Sequence, residues 1–90
     1  MRIARKALRS LHDNDHPQRL PQELVARIRR ILGTLRVATK PADVDLPGYR
    51  LHPLRGDRTG WWSIRVSGNW RIVFRVRDGE PVDVDLIDYH

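Results

Sequence analysis

The feature that most constrains the fold is a regular alternation of side chains between Trp61 and Arg77. The even-numbered side chains are apolar, and they are Trp62, Ile64, Val66, Trp70, Ile72, Phe74 and Val76. The odd-numbered side chains are mostly polar or cationic, and they include Ser63, Arg65, Arg71, Arg75 and Arg77. A period of two residues is typical of a strand that buries one face. The stretch therefore predicts two strands with an apolar face and an opposite cationic face.

Parity also predicts how these two strands pair. Antiparallel partners on one face must have the same parity, so we expect an odd loop, Ser67-Gly68-Asn69, in which Gly68 has a positive φ. The pairs that follow from this loop are Ile64 with Ile72 and Trp62 with Phe74.

A second hairpin follows by the same reasoning, because Val82, Val84 and Leu86 continue the even-numbered apolar set. Here the expected loop is Asp78-Gly79-Glu80, and Pro81 begins the last strand. Proline has no backbone N–H, and its absence disturbs the hydrogen bonds between strands least at the start of a strand. The pairs expected from this loop are Arg75 with Asp83 and Val73 with Asp85.

Two helices are predicted before the sheet. Apolar side chains at Ala4, Ala7, Leu8 and Leu11 predict a short helix over about residues 4–12. A longer stripe predicts a second helix over about residues 21–37, and it comprises Leu24, Val25, Ile28, Ile31, Leu32 and Leu35. On this helix we expect the arginines to be a solvated face, namely Arg27, Arg29, Arg30 and Arg36.

The remaining segments complete the predicted architecture. Residues 40–48 contain two prolines and a glycine and are read as a connection, and Tyr49 to His52 is read as a short strand that ends at Pro53. The expected fold is α/β of the α+β type, with two N-terminal helices packed on a small twisted, mainly antiparallel sheet over about residues 49–88. Ninety residues are enough for one domain, 1–90, with a two-layer core.

Composition indicates a basic protein, and the lack of cysteine fits a reducing compartment without proving one. The chain has no cysteine, and 17 Lys and Arg against 11 Asp and Glu give a net charge of +6. Neither a signal peptide nor a long apolar run is found, so we expect a soluble, cytoplasmic protein without a membrane segment. Most of the cations are Arg, whose planar fork suits phosphate groups, although codon bias would produce the same excess.

Histidines and carboxylates occur at two places in the chain. His12, Asp13, Asp15 and His16 carry metal-ligating atoms, but they lie in a polar loop that lacks the shaped geometry of a metal site. We therefore expect no metal and no other cofactor. The second set is His52 with the closing residues Asp88, Tyr89 and His90, and these converge if the chain end returns beside the central strands.

This second set suits RNA cleavage without a metal ion. A base removes the proton of the ribose 2′-OH, an acid protonates the departing 5′ oxygen, and guanidinium groups stabilise the charge on phosphorus. Histidine serves in such a reaction because it titrates near neutral pH. The residues alone leave catalysis open, because two histidines and a tyrosine occur in many small domains.

Two stretches resemble a known family: residues 49–76, YRLHPLRGDRTGWWSIRVSGNWRIVFRV, and the chain end LIDYH. They are similar to the HigB family of bacterial toxins within the RelE/ParE superfamily. Family members usually begin with an apolar strand, whereas MRIAR is shorter and basic, so the edge strand is expected to be truncated or absent. Arg55 also stands where the family often has Lys.

The resemblance implies a toxin that enters the ribosomal A site and cleaves mRNA during translation. It also implies a HigA-type helix-turn-helix antitoxin, through which alone the toxin would contact operator DNA. His52 and Asp88 are the implied candidates for the base, His90 for the acid, and Tyr89 for stacking on a nucleobase. The candidate phosphate-binding residues are Arg55, Arg71, Arg58 and Arg75.

Two other functions remain open at this point. A gyrase inhibitor like ParE would have no nucleolytic chemistry, and the histidine of the LHPL segment and the one at the chain end argue against it. A non-catalytic basic module that binds RNA or protein would depend on charge but not on individual histidines.

Overall fold

A computed structural model of the chain describes residues 1–88, which form two helices followed by a four-stranded sheet. The sheet is antiparallel in the order β1-β2-β3-β4. The predicted α+β arrangement is confirmed. The bounds of the elements are α1 (Lys6–Asn14), α2 (Val25–Val37), β1 (His52–Pro53), β2 (Trp62–Ser67), β3 (Trp70–Arg77) and β4 (Glu80–Asp88).

The core lies between the helices and the even-numbered face of the sheet. From the helices it contains the apolar stripe of α2 and two leucines of α1, Leu8 and Leu11. From the sheet it contains Ile64, Val66, Ile72, Phe74, Val84 and Leu86. Trp62 and Trp70 are half-buried at its margin. Burying one face of an amphipathic helix against one face of a sheet is the main source of stability for a domain of this size.

The chain start adds a minimal edge beside β4. The Ala4 amide donates to the Val84 carbonyl at 2.8 Å, and the Val84 amide donates to the Arg2 carbonyl at 3.0 Å. Ile3 and Val84 form an isolated parallel bridge, so the expected truncated edge strand is present as a single bridge. This pairing explains why α1 begins at Lys6 rather than at Ala4.

An ion pair holds the same edge at its outer end. The N-terminal ammonium of Met1 donates to Glu80 Oε1 at 2.7 Å. This hydrogen bond and the ammonium charge hold the pKa of the Glu80 carboxyl below its usual range. A carboxyl with a lowered pKa adds stability above its ordinary pKa, and that contribution is lost as the pH falls through the lowered value.

The predicted register of the central hairpin is confirmed, but the predicted loop is wrong. Ile64 pairs with Ile72 and Trp62 pairs with Phe74, whereas Ser67 pairs with Trp70, which leaves a two-residue turn. The register shifts between Arg65 and Ser67, so β2 carries a bulge of one residue. The extra residue in β2 keeps the apolar side chains of both strands on one face, so a two-residue turn takes the place of the predicted three-residue loop. Gly68 in this turn does not have a positive φ.

The second hairpin differs from prediction in the same way, because a bulge and a two-residue turn take the place of the predicted three-residue loop. Asp78 and Gly79 have φ values of 53° and 72°, as a two-residue type I′ turn requires. Val73 pairs with Asp85 as predicted, but Arg75 pairs with Val82 instead of Asp83. Asp83 has a φ of 53° and lies within the bulge, from which its carboxylate still accepts from Arg75 Nε at 3.0 Å. The predicted ion pair between Arg75 and Asp83 is confirmed, but the predicted cross-strand pairing of these two residues is wrong.

Arg27 is not part of a solvated face, contrary to expectation. Its Nη2 donates to the Gly48 carbonyl at 2.7 Å and to the Arg65 carbonyl at 3.0 Å. Its guanidinium carbon also lies 5.6 Å from the centroid of the Tyr49 ring. Arg27 therefore connects α2 both to the turn before β1 and to β2.

The odd-numbered face of the sheet is closely packed at its centre. Ser63 and Val73 lie on this face and are both 0% exposed. The Ser63 hydroxyl has no hydrogen-bond partner within residues 1–88. A buried hydroxyl without a partner costs free energy, because it has lost its hydrogen bonds to water.

Replacing Arg27 by Ala should lower the free energy of unfolding by about 2 kcal/mol, because two charge-assisted bonds to carbonyl groups are lost. Arg30 is exposed on the same helix and provides the matched control. We expect Arg30→Ala to change the free energy by less than about 0.5 kcal/mol. Urea unfolding followed by circular dichroism measures both values, and equal losses would contradict the role assigned to Arg27.

Replacing Ser63 by Ala should leave the protein as stable or make it more stable by up to about 1 kcal/mol, because a buried unpaired hydroxyl is removed. Thermal unfolding at neutral pH provides the measurement. Ser67→Ala is the control, since Ser67 is half-buried on the same strand. A clear loss of stability in Ser63→Ala alone would indicate that the hydroxyl is hydrogen-bonded in solution.

Candidate functional site

The candidate site lies on the sheet face opposite the helices, which we call the open face. Cross-strand register places His52, Ser63, Val73 and Asp85 in one row from β1 to β4. The next row toward the β2–β3 turn contains Arg65, Arg71 and Ile87. Two of the residues predicted from sequence, His52 and Arg71, therefore lie on the same face in neighbouring rows.

His52 is exposed on β1, and its ring orientation is set by the backbone before it. Arg50 has a φ of 49°, in the left-handed region, and its carbonyl oxygen lies 3.0 Å from His52 Nδ1. A carbonyl oxygen only accepts, so Nδ1 carries the hydrogen in this contact. In the neutral ring Nε2 then has the free lone pair, which is the arrangement that a general base needs.

The same left-handed residue explains why β1 is shorter than predicted. Tyr49 lies in a turn, although its carbonyl still accepts from the Arg65 amide at 2.7 Å. The positive φ at Arg50 interrupts the extended backbone, and β1 resumes only at His52. The strand is short, but it places the histidine directly opposite Ser63.

Arg71 is fixed at the β2–β3 turn. Its Nη1 donates to the carbonyls of Ser67 at 3.0 Å, Gly68 at 2.6 Å and Trp70 at 3.0 Å. Arg65 lies directly opposite Arg71 on β2 and is half-buried. Arg65 was not among the candidates from sequence, although its odd parity had already placed it on the cationic face.

At the other end of the open face, two arginines pack on Trp61. The guanidinium carbons of Arg58 and Arg75 lie 4.8 Å and 5.1 Å from the centroid of the Trp61 ring. Arg75 also forms an ion pair with Asp83, which neutralises part of its charge. Trp61 was not a candidate from sequence, and the signal that would have identified it is an aromatic side chain of odd parity.

Arg55 lies at the periphery of this surface, whereas Asp88 lies on the face of the sheet that carries Trp70. Arg55 is exposed and precedes a short 3-10 turn, Gly56–Arg58. Asp88 is aligned with Trp70 near the end of β4, whereas His52 lies on the opposite edge strand. Three strand spacings separate the two edges by roughly 14 Å. Tyr89 and His90 lie outside the described residues, so the convergence of His52 with the chain end stays a prediction.

Residues 1–88 contain no group of three or more His, Cys, Asp and Glu side chains that could hold a metal ion. His12 and Asp13 lie in the last turn of α1 rather than in the expected loop, and they contact each other at 3.0 Å. Asp15 follows the helix and pairs with Arg29. Within the same part of the chain, neither helix has the length and apolar composition of a membrane span.

A concave pocket of about 250 Å³ lies away from the open face, in the groove between the two helices. It is lined by Leu11, His12, Arg29, Leu32, Gly33 and Arg36. His52 and the arginines of the open face do not line this pocket.

Comparison with known sequences identifies the family. The family described as RelE-like toxin of type II toxin-antitoxin system HigB matches residues 2–90. A relative named Endoribonuclease HigB, from Proteus vulgaris, is 38% identical over 85 residues, which cover 94% of this chain and 92% of that protein. Toxin HigB-1 of Vibrio cholerae serotype O1 is 34% identical over 83 residues, which cover 90% of this chain and 87% of that protein. The resemblance seen in the LHPL and LIDYH segments is confirmed, and the chain belongs to the HigB-like family of RelE-like toxins.

Proposed function

We propose that this toxin is an endoribonuclease that cleaves mRNA on the ribosome without a metal ion. The observation that carries the proposal is the exposed imidazole of His52, whose Nδ1 is held by a carbonyl on a cationic sheet face. The name of the Proteus vulgaris relative, an endoribonuclease, supports the same activity. A toxin that acts on translated mRNA works in the cytoplasm, and we place this protein there.

The proposed reaction begins with His52 as the base. Nε2 takes the proton of a ribose 2′-OH, and the 2′ oxygen attacks the adjacent phosphorus. The bond between phosphorus and the 5′ oxygen breaks, which leaves a 2′,3′-cyclic phosphate on one fragment. We assign His90 as the acid that protonates the departing 5′ oxygen, and Asp88 remains the alternative base.

The arginines of the open face supply the electrostatic part of the mechanism. Arg55 and Arg71 are assigned to the phosphate that is cleaved, where guanidinium groups stabilise the additional negative charge. Arg58 and Arg75 are assigned to the neighbouring RNA backbone, with a smaller contribution from Arg75 because Asp83 already pairs with it. Tyr89 is assigned to stacking on a nucleobase.

Membership of this family implies a cognate antitoxin. We propose that the antitoxin is a helix-turn-helix protein of the HigA type and that the toxin reaches operator DNA only through it. The ribosomal A site is the proposed place of action, because an mRNA strand is presented there in single-stranded form.

His52→Ala should reduce mRNA cleavage by about 100-fold or more, because positioned acid–base catalysis contributes at least that factor. Cleavage is measured by primer extension on translating ribosomes. The fold should survive, since His52 is exposed. His16→Ala is the control, because His16 is an exposed histidine in the loop after α1. Cleavage by His52→Ala within twofold of the unchanged protein would contradict the assignment.

His90→Ala should cause a loss of similar size, and the double variant with His52→Ala should lose little more than either single variant. Residues that act in one chemical step are strongly non-additive. The same assay measures cleavage, and growth arrest is followed in parallel. Growth arrest by the double variant with intact mRNA would favour a non-catalytic module, and accumulation of cleaved DNA would favour gyrase inhibition.

A further inference from the structure

Trp61 is the last residue of a tight turn that begins at Arg58. The Trp61 amide donates to the Arg58 carbonyl at 2.9 Å. Between them Thr59 has φ and ψ of −55° and 130°, and Gly60 has a φ of 96°. These angles and this hydrogen bond define a type II β-turn, in which the Cα atoms of the first and fourth residues lie less than about 7 Å apart. The turn therefore brings Arg58 and Trp61 close together.

Hydrogen bonds hold the backbone on both sides of this turn. The Thr59 hydroxyl donates to the Gly56 carbonyl at 2.8 Å, and the Thr59 amide donates to the same carbonyl at 3.1 Å. At the other end, the Trp61 carbonyl accepts from the Leu54 amide at 2.9 Å. The turn is therefore anchored both to the 3-10 turn before it and to the segment that follows β1.

The indole ring of Trp61 contacts two guanidinium groups that differ in their charge environment. The guanidinium carbon of Arg58 lies 4.8 Å from the ring centroid, and that of Arg75 lies 5.1 Å from it. Asp83 forms an ion pair with Arg75. No carboxylate among residues 1–88 forms an ion pair with Arg58. The ring therefore holds one neutralised and one charged arginine.

Contact with the ring favours anion binding by Arg58 for two reasons. A cation–π contact needs none of the five N–H donors of the guanidinium group, so they are available to a phosphate. Arginine also loses much rotamer freedom when it binds a ligand, and a side chain that is already held in place loses less. Arg58 is half-buried, which is consistent with a side chain packed on the ring.

The turn lies next to the proposed base. Trp61 precedes Ser63, the cross-strand partner of His52, by two residues. Residues two apart on an extended strand lie about 7 Å apart on one face. Arg71 lies in the row on the other side of His52. An RNA strand that crosses His52 from Arg71 therefore reaches Arg58 next.

We propose that Trp61 is a positioning residue for RNA binding, whose ring holds Arg58 in place to bind the backbone phosphate next to the one that is cleaved. This inference rests on the proposed function, in which Arg58 binds the neighbouring RNA backbone. Trp61 acts through Arg58. Arg75 depends on the ring less, because Asp83 also holds its guanidinium group.

The test measures binding of a single-stranded RNA oligonucleotide with 2′-O-methyl ribose, which the proposed reaction cannot cleave, at several KCl concentrations. Arg58→Gln should weaken binding about tenfold, as expected for a charged hydrogen bond. It should also reduce the slope of log affinity against log salt by about 0.7, the value for one phosphate contact on a single strand. Trp61→Leu should weaken binding about threefold, which corresponds to the loss of a partly exposed cation–π contact. Trp61→Phe keeps an aromatic face and should recover most of this loss.

A double-mutant cycle then shows whether Trp61 acts through Arg58. When Arg58→Gln is already present, Trp61→Leu should change the affinity by less than about 1.5-fold, because the side chain that the ring positions is gone. When Arg75→Gln is present instead, Trp61→Leu should still weaken binding about threefold. A merely structural role of Trp61 would weaken binding by the same factor in all three backgrounds.

Trp62→Leu is the matched control, since it makes the same substitution at the next residue, which packs against the core on the other face of the sheet. Binding is measured below the unfolding transition of each variant, and there Trp62→Leu should bind like the unchanged toxin. Arg30→Gln controls for net charge, because Arg30 is exposed on the helical side. Its affinity and its salt slope should also be unchanged.

Gly60→Ala provides a second variant that leaves both side chains in place. A Cβ at Gly60 has no heavy atom within 4 Å, but a φ of 96° is one that residues with a side chain rarely adopt. The substitution therefore disfavours the turn without a steric clash. It should weaken RNA binding in the unchanged protein and have little effect when Arg58→Gln is present.

The inference is overturned if Trp61→Leu and Gly60→Ala bind like the unchanged toxin, or if either loses as much affinity with Arg58→Gln as without it. Equal losses in Trp61→Leu and Trp62→Leu would also overturn it. The same holds if Arg58→Gln keeps the unchanged affinity and slope, or if the unchanged toxin does not bind the oligonucleotide.

Cleavage on translating ribosomes is measured in parallel, so that the two proposals fail separately. A toxin in which Trp61 and Arg58 are coupled in RNA binding but which cleaves no mRNA would contradict the proposed function and leave the role of Trp61 in place. A toxin that cleaves mRNA while the effects of the two substitutions simply add would contradict the role of Trp61 alone.

Discussion

Burial of one face of β2 and β3 against α2 is the constraint on which the rest of this protein depends. Ile64, Ile72 and Phe74 are fully or almost fully buried beneath the helical layer. Because strand side chains alternate, this burial directs the odd-numbered side chains outside the bulge, among them Ser63, Arg65, Arg71 and Val73, to the opposite face. The cationic face around Arg65 and Arg71 is therefore a direct consequence of the way the core is made, whereas His52 is positioned by β1 and the Arg50 carbonyl.

Much of this arrangement can be predicted from the sequence, because the alternation of apolar and polar side chains along β2 and β3 is visible in the sequence itself. Parity gave the two faces and the pairing of Ile64 with Ile72. It could not give the bulges, since an inserted residue changes the register without changing the pattern. Asp83 shows the limit: its backbone adopts a positive φ that the alternating pattern does not indicate.

Contacts between segments that are far apart in the chain could not be predicted from the sequence either. Its position outside the apolar stripe of α2 predicts a solvated side chain for Arg27. Its acceptors belong to Gly48 and to Arg65, which lie 21 and 38 residues further along the chain. In the candidate site, the LHPL segment identified His52, but the carbonyl that fixes its ring depends on the backbone angle of the residue two positions earlier. Local patterns do not specify such a contact.

The backbone conformation at Arg50 has a consequence for how the site meets its substrate. A residue other than glycine is strained in the left-handed conformation, and here this conformation brings the Arg50 carbonyl against the His52 imidazole. In the proposed reaction the tautomer is thus selected before RNA binds, and the ring need not rotate when a ribose approaches. If His52 is the base, as proposed, its proton acceptor is preorganised, and the strain is present in the folded chain rather than incurred during turnover.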